Sequence, residues 1–389
     1  MRIEIEKKEL ICWAFLLAIW IPAGTAAGIL GVSVLKFLGL MWSIYLFANY
    51  RLYRDKTLRI CWVWQAWCLI ATIINGTNIN VCFAMVHPIF STVCMIAVLL
   101  KKDRVKALRQ ILNVFCLWTI IQFITFIQLG PSFGTSSHEA KYFFGIRVDY
   151  NDFLVFAIGC AILAVLLKEK MAKIQAAIIV GLGVYFALSC KLSTAMMACM
   201  VFLCVFIISH FAKSNRIWHG LGIVSVIFCL LFVFGSADPE SFSWILVDFL
   251  GEDLTLNGRT VLWQQALNQM RGFHWVIGNG YAHNFVFHLN QYWSATTAHS
   301  QYINALFCFG TIGLSIYVAM ILKTLSLVRL ADRTYRPVII ATDISMILMG
   351  ITTTFYTSPY MFVWYMVCMA LQQGYFSEEQ YSDMYLNPA

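Results

Sequence analysis

Apolar residues fill the chain in runs of eighteen or more, separated by short clusters of charged and polar positions. As helices, such runs cross a hydrocarbon core about 30 Å thick, for which about 20 residues suffice. The pattern predicts twelve helices, centred near positions 17, 40, 67, 91, 120, 160, 182, 203, 227, 310, 347 and 366. The expected fold class is an all-α polytopic membrane protein, a single integral membrane domain over residues 1–389. One long polar stretch, residues 236–298, interrupts it between the ninth and tenth helices as a large loop. The first apolar run follows Arg2, Lys7 and Lys8 but precedes many further spans, so it reads as a retained anchor.

Composition strengthens this picture. Sixty per cent of the 389 residues are apolar and 12% are charged, against roughly 25% charged in soluble domains. That balance excludes a water-soluble fold. Charge placement then orients the helices, because Lys and Arg collect on the cytoplasmic side of membrane proteins. Twenty-one of the 27 basic residues fall in six alternate interruptions: Arg2/Lys7/Lys8, Arg51/Arg54/Lys56/Arg59, Lys101/Lys102/Arg104/Lys106/Arg109, Lys168/Lys170/Lys173, Lys213/Arg216 and Lys323/Arg329/Arg333/Arg336. Both termini are expected to be cytoplasmic, in a bacterial inner membrane. The net charge of +8 is spread over these loops, so it is a topology signal and predicts no nucleic-acid partner.

Lys36 falls inside a span, and five basic residues are left on the opposite side: Lys141, Arg147, Lys191, Arg259 and Arg271. Arg259 and Arg271 lie in the 236–298 loop, which is too aromatic for disorder and too long to be a mere connector. Within it Thr260 is positioned to cap a helix whose Trp263, Ala266, Leu267 and Met270 form an apolar stripe. That helix is expected to lie in the membrane interface. Ser241 to Leu250 is a second apolar stretch, too short to span, and Gly278-Asn279-Gly280 marks a turn.

Thirteen cysteines, most of them inside apolar runs, form no Cys-x-x-Cys pair and read as small hydrophobes. His274, His283 and His288 have no familiar zinc spacing, so no metal or cofactor is expected. His87, Asp343 and Lys36 lie within predicted spans and are read as structural pairs before a proton or substrate path.

Asn257-Gly258-Arg259-Thr260-Val261-Leu262-Trp263, then Ile277-Gly278-Asn279-Gly280, then His299-Ser300-Gln301-Tyr302-Ile303 with Gly310 and Gly313, resembles the signature of the O-antigen polymerase and ligase superfamily. Lys191-Leu192-Ser193-Thr194-Ala195 is similar to that family's basic turn before a helix, with Leu192 in place of the more usual Ser. Arg147 to Phe153 resembles its Arg-x-x-x-Asn-x-Phe stretch, and Ser300 departs from the usual Asn after the histidine.

The resemblance implies a glycosyltransferase whose donor is a sugar chain on undecaprenyl diphosphate. It implies a Wzy-type polymerase that transfers glycan to another lipid-linked repeat unit, with O-antigen ligation to lipid A-core as the close alternative. The implied partners are lipid-linked donor and acceptor, the bilayer and a chain-length regulator protein. A lipid-linked sugar flippase is the alternative of another class, though the chain shows no internal repeat.

Such chemistry needs cations for the diphosphate and a base for the acceptor hydroxyl. Arg259, Lys191 and Arg147 are the candidate diphosphate ligands, because guanidinium and ammonium groups both bind phosphate oxygens. His299 is the candidate general base, at the start of the tenth helix where the dipole disfavours imidazolium. Trp263, Ser193, Thr194, Asn151 and Tyr302 are candidate supporting residues, with Ser193 or Thr194 capping the eighth helix. Direct displacement predicts inversion at the anomeric carbon. Retention would need a carboxylate pair, and Asp238, Glu240, Asp248, Glu252 and Asp253 show none by spacing. The bland readings are that His299 caps its helix and that Arg259 snorkels beside Trp263.

Overall fold

A computed structural model describes the chain except for residues 1, 22–29, 132–140, 146, 169–170, 212–214, 236–257, 282–285, 289–293, 328–333, 355–357 and 372–389. The Ser241 to Leu250 stretch, the loop carboxylates and His283 lie outside the described residues. The helices are α1 (Arg2–Ile19), α2 (Leu30–Asn49), α3 (Arg59–Ile74), α4 (Ile79–Lys102), α5 (Arg104–Leu129), α6 (Asn151–Leu166) and α7 (Ala172–Ser189). They continue as α8 (Ser193–Phe211), α9 (Asn215–Gly235), α10 (Arg259–Gln269), α11 (His274–Ile277), α12 (Gln301–Leu327), α13 (Arg336–Met349) and α14 (Pro359–Ala370). Phe287–His288 and Ser294–Ala295 pair as a minimal antiparallel ladder.

Helices cover the expected centres other than 310, which falls on a break within a long helix. Among the described residues, seven helices are long and apolar enough to cross a membrane: α2, α4, α5, α7, α8, α9 and α12. The apolar helices α3, α6 and α14 are shorter. Together they make a multi-pass helical membrane protein. Most residues of α6 and nearly all of α13 and α14 are buried, as befits helices surrounded by others. Around them, α8 and α9 turn Met200, Leu203, Phe211, Val224 and Leu231 outward. Water would penalise so continuous an apolar exterior, whereas lipid tails match it.

Side-chain bonds gather the segments of the first three basic clusters at one end of the bundle. Glu9 receives Lys102 Nζ at 2.6 Å and Lys106 Nζ at 2.9 Å, and Lys101 pairs with Asp55 at 3.0 Å. Arg104 Nη1 donates to the carbonyl of Ala370 (2.9 Å), and the Tyr365 hydroxyl donates to that of Thr57 (2.9 Å). The start of α1, the segment before α3, the α4–α5 junction and the end of α14 thus share one face. Thr194 bonds Thr352 and the Gln301 N–H reaches Gly350 and Thr353, in the segment that leads into α14, so Lys191 and His299 lie near the end of the bundle opposite Ala370.

The intramembrane ionisable groups each have a local partner. Lys36 Nζ donates to the Ile21 carbonyl (2.9 Å), His87 Nδ1 meets the Phe83 carbonyl (3.2 Å), and Asp343 accepts from Trp364 Nε1 (2.9 Å). In these contacts they do not pair with one another.

Helix α12 is broken at Gly310, whose φ of 67° and ψ of −171° are not helical. The turn after α11 fills the break. Backbone N–H groups of Asn279 and Gly280 donate to the carbonyls of Phe307 (2.8 Å) and Cys308 (2.9 Å), while Trp67 Nε1 donates to Phe309 (2.8 Å). A Cβ at Gly278 would strike the Cys308 backbone and one at Gly310 the Val276 carbonyl. Both glycines are therefore required by backbone contact. Broken helices in transporters expose carbonyls to ions; here protein donors occupy those three.

Candidate active site

Gly258, left-handed at φ 84°, turns the chain into α10, which begins at Arg259. Thr260 accordingly sits within the first turn, and the expected side-chain cap is replaced by this glycine turn. The apolar stripe of α10 also differs in its partner. Leu262, Trp263, Ala266 and Met270 are buried in the protein core, so the helix is docked on protein at that face, not laid on lipid.

That docking reaches the candidate base. Trp263 Nε1 donates to the carbonyl of Ala298 at 2.8 Å, and the Ala298 N–H donates to Asn304 Oδ1 at 2.9 Å. Both backbone polar groups of Ala298, the residue before His299, are held by buried side chains. On the other side of His299, the Gln301 N–H reaches the carbonyls of Gly350 and Thr353, each at 3.0 Å, and the Tyr302 hydroxyl donates to Ile347 (2.8 Å). Between these anchors His299 adopts φ 49°, a left-handed conformation rare for residues with a Cβ. Such a geometry persists where the surroundings over-determine it, and it is concentrated at functional sites.

His299 is solvent-exposed, although protein surrounds it on most sides. This loss of solvation, and secondarily the positive charge of Arg259, hold its pKa below the ordinary 6.5. The bond from Trp263 to the Ala298 carbonyl ties the helix that begins at Arg259 to the residue before His299, across forty positions of sequence. A neutral imidazole at physiological pH has a lone pair available for a proton.

Lys191 is exposed and shares the left-handed geometry, at φ 51°. Its turn meets the same post-α13 segment that anchors His299: Thr194 Oγ1 bonds Thr352 Oγ1 at 3.1 Å, one residue from the Thr353 carbonyl that receives Gln301. The Thr194 hydroxyl therefore ties α8 to the segment that follows α13. Ser193 is exposed at the first position of α8.

Of the remaining candidates, Tyr302 and Trp263 are buried and act by holding backbone, not by facing a ligand. Asn151 is buried at the start of α6, and its Oδ1 has no hydrogen-bond partner among the described residues. Arg147 opens a 3₁₀ turn ahead of α6; its side chain lies outside the described residues. Sequence reasoning missed Asn304, whose spacing of five from His299 carries no signal until a helix start folds its side chain back to the preceding loop. Among the described residues, no group of three His, Cys, Asp or Glu side chains is placed to hold a metal ion.

Fold and site together define a multi-pass helical membrane protein with a constrained histidine and nearby cations at one end of its bundle. Residues 175–318 match the family model described as O-antigen ligase, which supports placing the chain in the O-antigen polymerase and ligase superfamily. The match runs from early α7 into α12. It contains Lys191, Ser193, Thr194, Arg259, Trp263, His299 and Tyr302, and leaves Arg147 and Asn151 outside. A search of curated proteins found no match.

Proposed function

We propose that this protein is a glycosyltransferase that moves glycan from undecaprenyl diphosphate to a sugar hydroxyl of another lipid-linked repeat unit. The observation that carries this reading is the left-handed His299, whose preceding residue is held at 2.8 Å by Trp263 from the helix that begins at Arg259. Such a pair supplies a proton acceptor beside a phosphate ligand. In the proposed step His299 takes the proton of the acceptor hydroxyl, and that oxygen attacks the anomeric carbon. The bond from that carbon to the diphosphate oxygen breaks with inversion, and the electron pair leaves with the diphosphate.

Arg259, Lys191 and Arg147 are assigned to the leaving diphosphate, where positive charge stabilises the transition state more than the ground state. These side-chain cations take the place of a metal in this reading. The end of the bundle that carries His299 is taken as extracytoplasmic in the bacterial inner membrane. The gathering of the first three basic clusters at the opposite end, with the start of α1, supports that orientation.

The family description favours a second reading in which the acceptor is lipid A-core and the protein is a ligase. Both readings use one donor site. The test is a detergent assay with purified protein and lipid-linked repeat units, with and without lipid A-core. Chain extension by the parent and its loss in His299→Ala is the expected result. Undiminished extension by His299→Ala would remove the base assignment, product only with lipid A-core would make the protein a ligase, and absence of any transfer would remove the enzyme reading.

A further inference from the structure

Three residues at the site end of the bundle do not fit a surface bathed in water. Phe273, Trp275 and Val276, in and beside α11, are 66%, 41% and 40% exposed. Arg271 beside them is also exposed. We infer that this short segment is embedded in the bilayer, with lipid headgroups and upper acyl chains as its partner.

Depth along the bundle supports this. The segment that follows α11 is fixed to α12 at Phe307 to Gly310, six to nine residues beyond the helix start at Gln301. At 1.5 Å per residue it lies about 10 Å further into the bundle than His299. At that level Tyr281 N–H donates to Thr72 Oγ1 (3.1 Å), and Gly280 packs against Thr72, Asn75 and Thr77. These residues form the junction of α3 and α4, so the segment is level with the ends of two apolar helices.

Those ends expose Ile73, Ile74, Ile79 and Phe83. The apolar patch around α11 therefore continues an exterior that already matches lipid. Its chemistry suits the headgroup boundary. Tryptophan concentrates there, and an arginine places its stem along apolar surface while the guanidinium meets phosphate. The burial of the α10 stripe in protein leaves α11 as the membrane contact of this part of the described loop. His299 would then stand above the boundary, at a height suited to sugars projecting from a lipid held in that leaflet.

The inference is tested with nitroxide labels on the full-length protein in phosphatidylethanolamine and phosphatidylglycerol vesicles. Accessible cysteines are first removed by Cys199→Ala, Cys204→Ser and Cys308→Ala. Labels then go at Phe273→Cys, with Val276→Cys as the second position should the first variant not fold, and at Asn268→Cys on the exposed face of α10. The expected result is a label at 273 or 276 relaxed several-fold more by oxygen than by a water-soluble nickel chelate, with the reverse at 268. A label at 273 or 276 that behaves like the one at 268 would overturn the inference. So would one shielded from both agents, which would mean a protein partner covers the patch.

Discussion

Trp263 donates its indole N–H to the carbonyl of Ala298 at 2.8 Å, so the helix that begins at Arg259 is bolted to the residue before His299. One hydrogen bond thus sets the relation between the candidate phosphate ligand and the candidate base. Trp263→Phe should keep most of the packing and lose the donor. Leaving the Ala298 carbonyl unsatisfied costs about 1–3 kcal/mol. The expected outcome is folded protein, by thermal melt, with turnover reduced about 10-fold to 100-fold. Parental turnover would mean that His299 needs no such clamp.

The proximity of Arg259 also predicts a pH effect with a definite sign. Partial desolvation by the surrounding protein and then the Arg259 charge disfavour imidazolium, which lowers the pKa of His299. Base catalysis should therefore persist below pH 6.5 and fail only as His299 protonates. Arg259→Gln removes one of the two causes, so the acid limb of kcat/KM should move to higher pH. His299→Ala should lower the pH-independent rate by about 10²-fold to 10⁴-fold. An acid limb unmoved by Arg259→Gln would separate the two residues functionally.

The break in α12 predicts an effect that owes nothing to catalysis. Gly310 combines φ 67° with a site where a Cβ would meet the Val276 carbonyl. Gly310→Ala should destabilise the protein by more than the strain of about 1–3 kcal/mol for an unfavourable backbone conformation alone, because the Asn279–Gly280 turn must also move. Thermal unfolding in detergent reads this directly. An unchanged melt would show that the turn is readily displaced.

At the other end, Glu9 is buried against Lys102 and Lys106, both of them partly exposed. Glu9→Gln leaves two ammonium groups without their carboxylate. A fully buried pair would lose 3–5 kcal/mol, but solvent screening of the lysines reduces the expected loss to about 1–2 kcal/mol. The melting difference between Glu9→Gln and parent should shrink in 1 M salt. A salt-independent difference would assign the effect to packing around α1.

Much of the architecture was legible in the residue order because membrane helices announce themselves. Each must satisfy its own backbone hydrogen bonds within one apolar run, so the runs and the charged breaks between them reveal helix positions without any knowledge of neighbours. The same local logic singled out Arg259 and Lys191 as cations on the sparsely basic side, whereas His299 stood out only through the family resemblance of its motif. What a helix faces is a different matter. The periodic stripe of Trp263, Ala266 and Met270 reads alike whether protein or lipid covers it, and the fold assigned it to protein.

Only tertiary contact brought Arg259 to His299, turned Asn304 back to the Ala298 N–H, and closed the Gly310 break with the turn at Asn279 and Gly280. These relations join residues by side-chain reach and backbone approach, which have no period along a sequence. The chain by itself determined which segments become helices and which end carries unusual charge. The packing of those helices decided which residues share a site, because proximity in space is set by the whole bundle and not by any one run.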